Sequence, residues 1–253
     1  MKHFFTIFGH ELRMLLVSPG TYIAAVLFLM LMGFIFAGIL ENYSVTMQEV
    51  SPAPVFFQLF WIPVLFMVPL LTMKCLAEER RLGTLETLLT TPVTTGEVVF
   101  GKYAAAWLLY TGLWISTGGF FWILHHFARA SHFIDYGALA GGYIHVAISG
   151  MLFVAIGVLA SSLFRSQAVA ATVAFAILFT IIVGLRYAAG LELLKPEAMA
   201  PVRQIIDYAQ IFQHQEDFTR GVVETRQILF YTSGAALALL LSVLGVEARQ
   251  LHS

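Results

Sequence analysis

Six apolar runs decide what this chain can fold into. They fall at about residues 21–40, 55–77, 98–124, 138–163, 168–186 and 228–246. A helix needs about 20 mostly apolar residues to cross the hydrocarbon of a bilayer, and each run meets or approaches that length. Lipid offers no water to backbone groups, so only a helix or a closed barrel can span it. Runs this long are helices. Composition agrees: 59% of residues are hydrophobic and 11% charged, against about 25% charge in soluble domains, and mean hydropathy is +0.82. The expected fold class is an all-α integral membrane protein with six transmembrane helices, forming a single domain over residues 1–253.

The same numbers exclude other classes. A net charge of −1 lacks the basic surface a nucleic-acid binder needs. A single cysteine, Cys75, rules out an internal disulfide and a cysteine metal cage. Residues 2–17 do not read as a cleavable leader, because they are amphipathic where a leader has a basic stretch and then an apolar core. At 100° per residue, Phe4, Phe5, Phe8, Leu12, Leu15 and Leu16 share about 120° of arc, and Lys2, Thr6, His10 and Arg13 lie opposite. That is the pattern of a helix lying in the membrane interface. Ser18-Pro19-Gly20 ends it and turns the chain into the first span, so residues 1–20 form an interfacial helix. Pro63 and Pro69 each remove a backbone donor from the second span and predict a kink or a local unwinding there.

An even number of spans puts both termini on one side. Lys2, Arg13, Lys74, Arg80, Arg81, Lys102, Arg165 and Arg249 fall on that side; Arg129, Arg186, Lys195, Arg203, Arg220 and Arg226 fall on the other, and the first far-side loop carries Glu41 and Glu49 without Lys or Arg. The positive-inside rule places the termini in the cytoplasm of an inner-membrane protein. The largest segment outside the spans, 187–227, is expected to be a helical external loop, since Val202, Ile205, Ile206, Ala209 and Phe212 recur at helical spacing.

Between the second and third runs stands Ala77-Glu78-Glu79-Arg80-Arg81-Leu82-Gly83-Thr84-Leu85-Glu86-Thr87-Leu88-Leu89-Thr90-Thr91-Pro92-Val93. Leu82, Leu85, Leu88 and Leu89 share one helical face, suited to packing on the span ends, while the charges lie mostly elsewhere. Pro92 stops the pattern, and Thr94-Thr95-Gly96-Glu97 reads as a capping box opening the third span. A charged cytoplasmic helix of this kind is either a plain amphipathic loop or a handle for another protein.

The stretch Glu79 to Val93, followed by Gly101-Lys102, resembles the signature of ABC type-2 permeases. In that family the segment is the coupling helix that docks on the ATPase. Glu11-Leu12-Arg13 through Ser18-Pro19-Gly20-Thr21-Tyr22, and Phe212 through Arg226, are similar to the gliding-motility-associated branch. The resemblance implies a coupling helix over 78–93, with Glu78, Glu79, Arg80, Arg81, Gly83, Thr84, Glu86, Thr91 and Pro92 as ATPase-docking residues. It implies a non-catalytic exporter subunit that binds no cofactor, with ATP and Mg held by two copies of a partner ATPase. It further implies a second permease copy or a related permease, and leaves room for an accessory protein on the external side.

One motif is a decoy. Gly96-Glu97-Val98-Val99-Phe100-Gly101-Lys102-Tyr103 fits seven positions of a phosphate-binding loop, but Tyr103 stands where a magnesium-binding Ser or Thr belongs, and the stretch opens a membrane helix. Lys102 is expected to extend its ammonium to the cytosolic headgroups. His125, His126 and His132 cluster near the outer end of the third span without a recognised metal spacing, which favours an aromatic interface cluster over a metal site. His145 is a titratable group at membrane depth and so a functional candidate; the simpler expectation is a hydrogen bond to a neighbouring helix. Glu216, Asp217, Arg220, Glu224 and Arg226 read as ion pairs along a surface helix more readily than as acid–base catalysts. A lipid-modifying membrane enzyme using His125, His126, Asp135 or the 214–226 cluster is the competing reading. A secondary transporter is weaker, because carboxylates are not evident in the middle of the spans.

Overall fold

The computed structural model describes residues 2–45, 51–83, 93–127, 134–190 and 200–250. Glu49, Arg129, His132, Glu192, Lys195 and Glu197 lie outside the described residues, as do Thr84 to Pro92. Among the described residues the architecture is all-α. Helices of sufficient length and apolarity to cross a membrane cover Pro19–Tyr43, Trp61–Leu82, Thr95–Phe127, Tyr136–Leu163, Gln167–Ala188 and Thr225–Ala248. These are the six expected spans.

Helix α1 (Lys2–Val17) runs into α2 (Pro19–Val45), the first span. The second span is broken, comprising α3 (Pro52–Gln58), α4 (Trp61–Thr72) and, after a turn at 73–76, the short α5 (Ala77–Leu82). The third is α6 (Thr95–Ser116) continued by α7 (Gly118–Phe127), and the fourth is α8 (Tyr136–Leu163). The fifth is α9 (Gln167–Phe179), a π-turn at Thr180–Gly184 and α10 (Leu185–Ala189). Two short helices, α11 (Ala200–Tyr208) and α12 (Ile211–Thr219), precede the last span, α13 (Thr225–Gln250).

The second span is locally unwound within four residues of each proline, at 59–60 and 73–76. The break falls at Leu59–Phe60, which leaves Pro63 in the first turn of α4, where no helical partner exists for an N–H in any case. Pro69 sits inside α4 without ending it, and its own carbonyl accepts from the Met73 amide at 2.9 Å.

Helix α8 is the axis of the fold. It packs against α4, α6, α9, α12 and α13, and 72% of its apolar window is buried, against 28% for the first, fifth and last spans. Glycine makes this crowding geometrically feasible. A Cβ at Gly142 would lie 2.1 Å from the Phe57 ring, one at Gly150 2.2 Å from the Tyr110 ring, and one at Gly157 2.3 Å from the Thr72 hydroxyl. Among lipid-embedded helices, association comes from such close packing, because lipid tails are as apolar as leucine.

Helix α1 lies along α6. Gly101 admits it, since a Cβ there would come within 2.9 Å of Ile7 Cγ2. Phe4, Ile7, Phe8, Leu12 and Leu15 are half-buried, while Phe5, Met14, Leu16 and Val17 remain exposed. The apolar arc is thus divided between the bundle and its surroundings. The beginning of α6, α5 and the end of α13 meet at this same end, because Arg80 of α5 donates to the Gly245 carbonyl at 3.0 Å. The two terminal helices therefore share one end of the bundle.

Candidate docking site

The charged interruption opens with α5. Glu78 and Glu79 occupy its first turn and Arg80 and Arg81 its last, the order that complements a helix dipole. Gly83 closes it at φ 71°, with its N–H on the Glu79 carbonyl. Only glycine takes this left-handed position without a steric penalty. Of the helix expected over 78–93, the described residues show the first turns, α5, closed at Gly83. Thr84, Glu86, Thr91 and Pro92 lie outside the described residues, with Leu85, Leu88 and Leu89. Leu82 is 61% exposed, so it does not pack on the span ends as its place in the leucine stripe suggested. Downstream, the capping box is formed: the Glu97 amide donates to Thr94 Oγ1 and the Thr94 amide to Glu97 Oε2, both at 3.3 Å.

Three spans hold α5. Its N-cap, Leu76, has no capping side chain, and a hydroxyl from α8 replaces one. Ser161 Oγ accepts from the Leu76 and Ala77 amides, each at 3.0 Å, and donates to the Met73 carbonyl at 3.3 Å. One turn earlier on α8, Gly157 lets Thr72 approach. Arg80 ties α5 to α13, as above. Glu79 ties it to α6 through Lys102, whose ammonium lies 2.8 Å from Glu79 Oε1 and also bonds Glu11 of α1.

Lys102 does not reach for headgroups. It is 4% exposed, because α1 covers this side of α6 and two carboxylates from separate helices supply the partners a buried cation requires. The stretch Gly96 to Tyr103 lies in helix α6, so the phosphate-loop pattern has no loop. A groove of about 550 Å³ opens between α1 and α5, lined among others by Glu11, Met14, Lys74, Glu78, Leu82 and Lys102. Of the expected docking residues described, Arg81 and Gly83 are exposed and Glu78 half-buried at this end of the bundle, whereas Glu79 and Arg80 turn inward onto Lys102 and the Gly245 carbonyl. Sequence reasoning missed Ser161, Gly157 and the carbonyl of Gly245; the four-residue spacing of Gly157 and Ser161 was the only available signal.

The opposite end accounts for the other candidates. His126 stacks on Trp122 with centroids 5.9 Å apart, and His125 Nδ1 faces the Tyr136 hydroxyl at 3.3 Å. No metal-binding cluster is present among the described residues. Arg220 pairs with Glu216 at 3.6 Å, Asp217 accepts from Gln227 at 2.8 Å, and Arg226 lies over the Tyr208 ring at 4.0 Å. Of these, only the Arg220–Glu216 contact is the expected ion pair along a helix; Asp217 and Arg226, on separate helices, take an amide and a ring instead. His214 Nδ1 meets the Tyr231 hydroxyl at 3.0 Å, and burial holds its pKa below the usual histidine value. His145 breaks the expectation of a helix–helix bond. It is fully buried among the rings of Phe60, Phe218 and Tyr231, with no hydrogen-bond partner on either nitrogen.

Comparison with known proteins agrees with the fold. No curated protein matches the chain. The family model for ABC-2 family transporter proteins matches residues 5–247, nearly the whole sequence and all six spans. Members of this family are transport subunits embedded in the membrane, generally non-catalytic themselves and generally working with an ABC ATPase. The chain belongs to the ABC-2 transporter family, as a multi-pass membrane subunit of an ABC transporter.

Proposed function

We propose that this chain is the permease half of an ATP-driven exporter, and that α5 with the residues after it, 78–93, receives force from a separate ATPase. The observation that carries the reading is the way α5 is held. One short charged helix is fastened to α8 through Ser161, to α13 through Arg80 and to α6 through Lys102. A displacement of α5 is thereby shared among three spans. The residues proposed to dock the ATPase are Glu78, Glu79, Arg80, Arg81, Gly83, Thr84, Glu86, Thr91 and Pro92. Arg81, exposed beside the groove, is the natural first test among the described ones.

In this reading two ATPase chains close on ATP and Mg, α5 rides with them, and two permease copies, or one copy and a related subunit, change which side their shared cavity faces. Such a change is a population shift, driven only by tighter nucleotide binding to the closed state. The single transmembrane domain sits in the inner membrane with α1 and both termini in the cytoplasm, and any accessory protein meets the far end at α11 and α12. The kinship to the gliding-motility-associated branch rests on the motifs at 11–22 and 212–226.

The test is co-purification. In mild detergent the native chain should retain a P-loop ATPase, and Arg81→Glu combined with Glu86→Arg should release it and uncouple hydrolysis. A correctly inserted double variant with unchanged coupling would overturn the assignment. Orientation is checked separately: a Leu82→Cys thiol, exposed at the end of α5, should react with an impermeant maleimide in inside-out vesicles and not in right-side-out ones.

A further inference from the structure

We infer that α6, α8, α12 and α13 enclose an internal hydrated site, a small cluster of bound water holding α12 to the spans. The inference is independent of the transport reading. His145 of α8 and Gln215 of α12 are both fully buried, and none of their four side-chain nitrogen and oxygen atoms has a hydrogen-bond partner. The Tyr110 hydroxyl of α6, beside Trp114 Nε1 of the same helix, and Gln227 Oε1 of α13 are also buried without a well-formed bond.

His145 and Tyr110 both meet Tyr231 of α13. The His145 ring lies 5.4 Å from that of Phe218 and 5.9 Å from that of Tyr231. His214, the neighbour of Gln215, bonds the Tyr231 hydroxyl. Tyr110 packs on Gly150 of α8 and is within electrostatic range of Tyr231. Against Gly141 the Phe218 carbonyl approaches so closely that a Cβ would meet it at 1.9 Å, so α12 is seated directly on α8.

The chemistry selects the guest. A neutral imidazole carries one donor and one acceptor, and a carboxamide carries two donors and one acceptor. The surrounding rings can receive an N–H on their faces, but Phe60 and Phe218 carry no N–H or O–H donor for the imidazole lone pair, and the Tyr231 hydroxyl is taken up by His214. The guest must both donate and accept, which water does and an apolar lipid chain does not. A metal ion would take the lone pair yet leave the amide N–H groups unanswered. Buried polar groups left without partners are expensive, and buried water with two to four protein partners is the usual remedy.

The experiment is hydroxyl-radical footprinting by X-ray radiolysis of the full chain in lipid nanodiscs. Radicals formed from bound water label adjacent side chains however deeply they lie. Tyr110, His145 and Tyr231 should be labelled within about tenfold of exposed Tyr187, and at least about tenfold faster than buried Phe153, if they line water. Labelling no faster than that of Phe153 would overturn the inference. A second arm uses the near-isosteres His145→Phe and Gln215→Met. If water bridges these groups, each variant strands the remaining partners, lowers the apparent Tm and reduces labelling at Tyr110. If the pocket is dry, deleting unpartnered polar atoms raises the Tm, which refutes the site. Stoichiometric metal in the chelator-washed protein, lost in Gln215→Met, would also refute water as the occupant.

Discussion

Replacing Ser161 by alanine should loosen the start of α5 while leaving α8 intact. The hydroxyl accepts two amides at 3.0 Å, from Leu76 and Ala77, both fully buried. Neither amide stands where α5 itself can supply an acceptor, because the first N–H groups of a helix have none. A buried donor deprived of its partner costs about 1–3 kcal/mol, so two give at least about 2 kcal/mol of local stability lost. At 1.4 kcal/mol per factor of ten, that is about 30-fold faster amide exchange. Ser162 is the internal control. It is as buried as Ser161, but its hydroxyl bonds only the Leu159 carbonyl of its own helix at 2.7 Å, so Ser162→Ala should leave exchange at 76–77 unchanged. Hydrogen–deuterium exchange with mass spectrometry on peptides covering 70–83, in nanodiscs, reads both variants. Equal exchange in the two would show that the α8 hydroxyl does not cap α5, and the mechanical argument built on three fastenings would lose one of them.

The ion trio gives a second outcome. Lys102→Met removes the ammonium held between Glu11 and Glu79, and breaking a buried pair in this way costs about 3–5 kcal/mol; adding Glu11→Gln and Glu79→Gln should restore most of the lost apparent Tm. A failed rescue would mean that the lysine matters by packing. His214 predicts an acid-sensitive α12. Its folded pKa is lowered by burial, so the unfolded chain binds the proton more readily. The stabilisation is full above the unfolded value of about 6.5 and is lost as pH falls through the window beneath it. The protection factors of peptides over 211–219, corrected for the intrinsic pH dependence of amide exchange, should therefore fall below that pH, and His214→Gln should abolish the fall. Finally, Gly141→Ala drives a methyl against the Phe218 carbonyl and should destabilise the seating of α12 by about 1–3 kcal/mol. Gly112→Ala, with nothing within 4 Å, should not, as limited proteolysis of the α11–α12 segment would report.

Much of this architecture is written locally. An apolar run long enough for lipid has no option but helix, so the six spans, the shared end of the termini and the Thr94–Glu97 cap were legible without coordinates. So was the charged segment that becomes α5, and the Arg220–Glu216 pair one turn apart. Each depends on neighbours within a few residues, which is all that periodicity can report. What escaped is set by helices meeting at a distance. Lys102 reads as a headgroup lysine until α1 and α5 bring Glu11 and Glu79 over it. Helix α5 is closed at Leu82 by Gly83, a choice between two conformations glycine adopts equally well. Nothing in the spacing of Ser161 announces that it caps a helix more than eighty residues earlier, and nothing near His145 announces that aromatic rings from three other elements surround it. The chain's solvent, its spans and its class followed from hydrophobicity alone; which polar atoms find partners, and which are left facing one another in the interior, was decided only when α8 drew the other spans around itself.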